Sequence, residues 1–239
     1  MSIAPPHGRR VSYGVLALSA VLAVVGIVAL LVAVYGDVGG TSNSSRLRGS
    51  GVAASQTRAV ASFDAVELAG SNEVNVTVGG PRSVVVHADD NLIRHVTTGV
   101  RRRSLVIANS PGSFTTRIPM RVDVTVPSLQ ALRLSGSGSV TVTGIAVPSL
   151  AVSLPGTGLL RASGTAGRLD VDLCGSGDAE LGGLVAQDVR ATIGGSGRVV
   201  VTATRSLDAH LTGSGAVFYG GRPARVTRDV SGSGAIVAG

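Results

Sequence analysis

Apolar residues fall into two regimes along this chain. From Val11 to Gly36 they run for 26 residues without a charge. From about Thr57 onward they come in short runs that alternate with polar residues and are broken by Gly and Ser. The first regime predicts a transmembrane helix over 11–36: at 1.5 Å per residue it extends about 39 Å, enough to cross a hydrocarbon core of about 30 Å with some tilt. Arg9 and Arg10 precede it and Asp37 follows. Residues 1–10 are therefore expected to stay as a short cytoplasmic tail and everything after the helix to be exported, giving a single-pass cell-membrane protein with an extracytoplasmic head. A cleaved signal peptide is the competing reading. It calls for an apolar core of about 7–15 residues and a small-x-small exit, whereas the exit here is Ala33-Val34-Tyr35-Gly36 and no Cys follows for lipid attachment. Residues 37–56 are rich in Gly and Ser without apolar periodicity and read as a flexible tether, leaving 57–239 as the head.

The second regime is a repeat. Gly-Ser/Thr-Gly recurs with its first Gly at Gly136, Gly156, Gly175, Gly195, Gly213 and Gly232, at intervals of 20, 19, 20, 18 and 19, with a related Gly70-Ser71-Asn72 upstream. Two positions before that Gly stand Leu68, Leu134, Leu154, Leu173, Ile193, Leu211 and Val230; four after it stand Val74, Val140, Leu160, Ala179, Val199, Val217 and Ile236. Six after it are Val76, Val142, Ala162, Leu181, Val201, Tyr219 and Ala238, while the position between varies freely. This is the period-2 signature of strands with one face inward. A further Gly eight positions on (Gly144, Gly164, Gly183, Gly221) marks a second corner suited to positive φ. Strand, corner, strand, corner every nineteen or so residues makes one coil of an all-β, parallel β-helix or solenoid, right-handed by analogy with parallel crossovers. A β-sandwich also accommodates short strands at regular spacing, but it has no reason to repeat one corner triplet six times. Stacked coils would set Arg161 beside Glu180 and Asp178 beside Arg198.

The upstream residues complete a longer pattern: Phe63-Asp64-Ala65-Val66-Glu67-Leu68, Val84-Val85-Val86-His87-Ala88-Asp89-Asp90-Asn91-Leu92, Leu105-Val106-Ile107 and Val122-Asp123-Val124-Thr125-Val126-Pro127-Ser128-Leu129, running into Leu132-Arg133-Leu134-Ser135-Gly136. From about Thr57 to Gly239 the chain resembles the bacterial head GIN domain, labelled an auto-transporter adhesin head. The resemblance implies an exported β-helical head and brings no catalytic residues. It departs from many members in having an apolar anchor segment in place of a lipid-modified Cys.

Composition narrows the chemistry. All 21 cations are Arg, against 14 carboxylates, for a net charge of +7. Lys-dependent phosphate loops, Schiff bases and pyridoxal anchors are thus excluded, and the single Cys174 excludes internal disulfides and multi-Cys metal sites. With no Trp and six Phe plus Tyr, base-stacking platforms are nearly absent, so no nucleic-acid partner is expected despite the charge.

The most regular polar feature is the corner column Ser71, Ser137, Thr157, Ser176, Ser196, Ser214 and Ser233. It could present hydroxyls to a glycan, but turn chemistry alone accounts for the residue choice, and we expect these hydroxyls to satisfy corner backbone groups and bond along the stack. No Gly-x-Ser-x-Gly surrounds them. Asp170, Asp172, Asp178 and Glu180 are the carboxylates to weigh for a polysaccharide-cleaving enzyme, yet no long loop is available to build a cleft, and solvated charge beside Arg is the simpler account. His87, Asp89, Asp90 and His95 match no metal-ligand spacing, and His210 is a whole coil from Asp172. Arg101, Arg102 and Arg103 form the densest charge and could contact an anionic envelope polymer or lipid headgroups, or simply solvate a hairpin turn. Cys174 reads as a small buried or corner thiol. The sequence thus points to a membrane-anchored, non-enzymatic adhesive or scaffolding head, with no cofactor, no metal and no catalytic residues expected. A polysaccharide-active enzyme or an envelope sensor are the alternatives, and self-association through the C-terminal coil is expected because solenoid ends need capping.

Overall fold

The computed structural model describes residues 46–239; the expected cytoplasmic tail (1–10), the expected transmembrane helix (11–36) and the first part of the expected tether (37–56) lie outside the described residues. Among the described residues no helix is long and apolar enough to cross a membrane. What they form is an all-β solenoid of about 5 turns with about 20 residues per coil.

Its first coils are not built in chain order. Strands β1 (Leu47–Arg48) and β2 (Ala53–Thr57) precede β3 (Ala65–Leu68) and β4 (Glu73–Val78), which form one rung; β5 (Ser83–Asp89), a 3-10 turn (Ile93–His95), β6 (Val96–Arg101), β7 (Ser104–Asn109), β8 (Phe114–Thr115) and β9 (Arg121–Val126) follow. β7 pairs in parallel with β3 and β9 with β4, so this later segment lies beneath the β3–β4 rung. The chain then crosses over that rung: β10 (Ala131–Leu134) pairs with the far side of β3, and β11 (Ser139–Leu154) with the far side of β4. Not all pairing is parallel, as uniform coiling had implied. β6 runs antiparallel to β7, β5 to β9 and β2 to β5, so antiparallel strands cover the outer edge of the β7–β9 rung. The expected tether is corrected here as well. Its described part contains β1, paired with β8, and the start of β2, because backbone N–H and C=O groups of Gly- and Ser-rich chain find partners on exposed strand edges.

From β11 onward the rungs follow chain order through β12 (Leu159–Leu173), β13 (Asp178–Ile193), β14 (Arg198–Leu211), β15 (Ala216–Gly221), β16 (Arg225–Val230) and β17 (Ala235–Ala238), all paired in parallel. The apolar columns stack as the period required: Leu154 opposite Leu173, Leu173 opposite Ile193, Ile193 opposite Leu211, and Val140 opposite Leu160, Leu160 opposite Ala179. All but their last members are buried. A fully buried Leu contributes about 1.5–3 kcal/mol over an exposed one, and here each is buried only because another rung covers it.

Each coil has three inward runs, one more than the repeat suggested. In β11 these are Val140 and Val142, Ile145 and Val147, then Leu150, Val152 and Leu154, separated by consecutive outward residues at Thr143-Gly144 and Pro148-Ser149. Two outward residues in succession break the alternation, as a bend must. The registers shift at the first bend, between Val142 and Ile145 and between Arg161 and Gly164. Gly144, Gly164 and Gly221 adopt positive φ there; Gly183 does not. The 18-residue interval after Gly195 corresponds to β14, which carries Ala203 where neighbours carry the bend Gly and keeps it buried.

The corner triplets owe their glycines to a different cause from the one the bends suggest. None of the twelve glycines in the six triplets has a positive φ. Instead a Cβ on any of them would lie 1.8–2.4 Å from a carbonyl oxygen of the preceding rung. Backbone stacks on backbone at this corner, and only hydrogen fits between.

Candidate functional site

All seven corner hydroxyls, Ser71, Ser137, Thr157, Ser176, Ser196, Ser214 and Ser233, are exposed. The expected hydroxyl bonding along the stack is not what holds the corner. Backbone amides do: Thr157 N–H donates to Gly136 O and Ser196 N–H to Gly175 O, both at 3.2 Å. Flanking residues contribute the side-chain bonds, with Thr212 Oγ1 donating to Ile193 O at 3.4 Å. The seven central side chains stand outside the corner with their hydroxyls directed to solvent.

Along the first four of these positions runs a groove of about 810 Å³. Ser71, Ser137, Thr157 and Ser176 line it together with Phe114, Pro119 and Met120 of the 109–120 segment. Its carboxylates are Glu73, Asp178 and Glu180, and no Arg is among its lining residues. The ladder begins here on an asparagine pair. Asn109 Oδ1 accepts the Ser71 N–H at 3.4 Å and occupies the space where a Cβ on Gly70 would fall, as a rung carbonyl does at the other corners. Asn109 Nδ2 in turn donates to Asn72 Oδ1 at 3.0 Å. Neither residue stands out by motif or spacing; Asn72 in place of the triplet's second Gly is the one signal the sequence carries.

The segment facing the ladder is held by Asp89, which is fully buried. Burial alone would raise its pKa, but the N–H groups of Gly51, Ile118 and Arg117 all donate to its carboxylate, at 2.7, 3.2 and 3.1 Å, and hold it below 3.8. A Cβ on Gly49 would strike the same carboxylate at 2.3 Å. Asp89 is thus a structural anchor joining the 49–51 loop to the 117–118 turn. The other members of the His87, Asp89, Asp90, His95 set diverge: Asp90 bonds Ser50, and His95 packs on the Phe114 ring with centroids 5.0 Å apart. Among the described residues no group of three or more His, Cys, Asp or Glu is placed to hold a metal ion.

His87 instead bridges strands, with Nδ1 2.7 Å from Ser55 Oγ and Nε2 3.0 Å from Asp123 Oδ2. Hydroxyl, imidazole and carboxylate in this order can activate a nucleophile. Ser55, however, lies on exposed β2, and strand backbone donors point along the sheet, not over its face, so none converges above the hydroxyl. Asp123 also accepts from Asn75 and pairs with Arg121, both at 3.2 Å. The row ties β2, β5, β9 and β4 together.

The four weighed carboxylates are split between faces and individually engaged. Arg161 Nε lies 2.7 Å from Glu180 and Arg198 Nη2 3.7 Å from Asp178, the two cross-rung pairs read from the repeat. Asp170 pairs with Arg168 at 2.9 Å. Asp172 accepts from the Cys174 thiol at 3.3 Å, and that bond, with a little burial and the adjacent negative charge, raises the thiol pKa. Cys174 is exposed, not buried. His210 lies near Asp208 and Asp229, with Thr192 of the intervening rung between it and Asp172.

Arg102 and Arg103 form the two-residue turn of the β6–β7 hairpin, with φ of 49° and 66°. Mirror-image hairpin turns require positive φ at both centres, usually supplied by Asn-Gly. Arg103 is not free for an anion: its Nε and Nη2 reach Asp64 at 3.0 and 2.7 Å, bonds that raise the guanidinium pKa. Arg101 and Arg102 are exposed and carry no side-chain partner among the described residues.

No curated protein matches this chain. Solved structures do. The chain is similar to a protein of Bacteroides fragilis described as "a putative adhesin", with a TM-score of 0.66, 20% identity and coverage of 80% of this chain and 99% of that one. It is also similar to two proteins of Parabacteroides distasonis, a "putative adhesin" (TM-score 0.51, 22% identity, 82% and 100% covered) and a "putative lipid binding protein" (TM-score 0.52, 21% identity, 82% and 100% covered). These likenesses bear on the fold. Residues 62–223 match the family model described as "Putative auto-transporter adhesin, head GIN domain", and the chain belongs to that family.

Proposed function

We propose that this chain is a membrane-anchored, exported surface protein whose solenoid is a non-enzymatic adhesive or scaffolding head. The observation that carries the reading is the corner column: seven exposed hydroxyls repeated at rung spacing on a backbone-stacked frame, with no hydrogen bond of their own among the described residues. A polar row held by a rigid scaffold offers many weak, identical contacts at low ordering cost. Family membership and the adhesin descriptions of similar structures point the same way. The apolar 11–36 segment supplies the anchor, with the Arg-bearing tail inside and the head outside. The solenoid winds right-handed, the hand that parallel crossovers favour. Arg101 and Arg102 offer a minor contact for anionic envelope polymer. The exposed β16–β17 edge, with Val226, Val230 and Val237 in solvent, offers a surface for self-association. Against a polysaccharide-active enzyme stands the engagement of the weighed carboxylates, Asp170, Asp178 and Glu180 with Arg and Asp172 with the Cys174 thiol.

Exposed Cys174 is the chain's single cysteine and tests this directly. Full-length protein in intact bacterial cells should react with a membrane-impermeant maleimide, and the purified protein should be retained on cell-envelope polymer preparations. Labelling only after lysis refutes export; absence of retention on every envelope fraction refutes the adhesive role.

A further inference from the structure

We infer that the groove along the first four corner hydroxyls is a binding site for an uncharged glycan chain. The inference rests on the adhesive reading above and names its site and ligand class.

Three observations converge. The floor presents Ser71, Ser137, Thr157 and Ser176 on successive rungs, a row about 14 Å long at about 4.8 Å per rung. A row of evenly spaced hydroxyls facing solvent suits a repeating, hydroxyl-rich chain better than a compact ligand. Next, Asn72 lines this groove, is 2% exposed, and its Nδ2 has no hydrogen-bond partner among the described residues. Its orientation follows from the network: Asn109 Oδ1 faces the Ser71 N–H, so Asn109 Nδ2 must face Asn72 Oδ1, which leaves the Asn72 amide donors on the other side. An unsatisfied buried donor costs about 1–3 kcal/mol and is tolerated where a ligand oxygen completes it. Last, Phe114 and Met120 supply an apolar patch opposite the hydroxyls, with the Phe114 ring steadied by His95; such a patch matches the C–H face of a sugar ring.

Charge decides the class. Asp178 and Glu180 are neutralised by Arg198 and Arg161, whereas Glu73 has no ion-pair partner among the described residues and no Arg lines the groove. A polyanion would meet net negative charge here.

Titration of the full-length protein with uncharged hexasaccharides (β-1,4-linked glucose, β-1,4-linked N-acetylglucosamine, α-1,4-linked glucose) and with polygalacturonate tests this, with folding of each variant checked by circular dichroism. At least one uncharged hexamer should bind and shift the Asn72 side-chain amide resonances. Thr157→Arg should weaken that binding about tenfold or more, while Ser214→Arg, in the same column but outside the groove, should leave it unchanged. Equal effects of the two variants, an unmoved Asn72 amide, or tighter binding of polygalacturonate would overturn the assignment. Retention on envelope polymers without binding of any uncharged hexamer would overturn the groove and leave the adhesive role standing; loss of both would remove both.

Discussion

At each corner the residue choice is settled by which atom faces inward along the stack. A Cβ on Gly195 would lie 1.8 Å from Gly175 O, while the neighbouring Ser196 side chain is exposed. Gly195→Ala is therefore expected to destabilise by about 3 kcal/mol or more, since packed backbone cannot yield as a side chain can, and Ser196→Ala by no more than about 0.5 kcal/mol. Urea unfolding of the two variants checks the pair. Comparable losses would mean that the serine hydroxyl, not the glycine hydrogen, holds the corner. The same distinction separates the bend glycines: Gly144 and Gly164 are required for their φ, whereas Gly183 has no such requirement.

Between elements, the outward faces add register more than stability, as exposed pairs contribute about 0–1 kcal/mol. The join between β13 and β14 is the most strongly charge-coupled. Arg205 Nε donates to Asp188 Oδ1 at 2.8 Å and Ser206 Oγ to the same oxygen at 2.7 Å, and these bonds, Arg205 foremost, hold the Asp188 carboxyl well below its usual 3.8. A carboxyl whose folded pKa is depressed favours folding above its unfolded pKa, and that contribution is lost as pH falls toward the folded value. The difference in stability between the parent and Asp188→Asn should thus be constant near neutral pH and shrink below about pH 3.8. Thermal unfolding across pH 2–7 tests this; a gap that persists unchanged to pH 2 would rule the linkage out. The described tether residues illustrate the same scale. β2 lacks apolar periodicity, yet its backbone finds an antiparallel partner in β5.

For the whole molecule, stability should behave as a sum of rungs and rung interfaces. Deleting Thr157–Gly175, 19 residues and one full coil, joins Gly156 to Ser176 and lets β13 stack on β11. That variant is expected to fold cooperatively with a lowered Tm, whereas deleting Thr157–Ala166 alone should abolish cooperative unfolding, because every downstream corner then falls out of phase. Circular dichroism melts distinguish them, and equal behaviour would refute a rung-by-rung architecture. The two ends of the described solenoid are unlike: antiparallel strands cover the β7–β9 rung, while β16 and β17 stay exposed.

The repeat could be read from the chain because its cause is local and recurs. Each coil must place apolar side chains inward at period 2 and admit another backbone at the corner, so the Leu column, the triplets and the Arg161–Glu180 pair all show in one dimension. The third inward run was equally present, as paired outward residues, but its signal is only a skipped beat in the alternation. What no window of sequence contains is the order of the first rungs. β3–β4 lies between two segments that follow it in the chain, and such pairings are decided by which edges remain unfilled once the later strands arrive. The groove is of that kind. Asn72 and Asn109 stand 37 residues apart and become a site only when the 109–120 segment is folded back along the hydroxyl row.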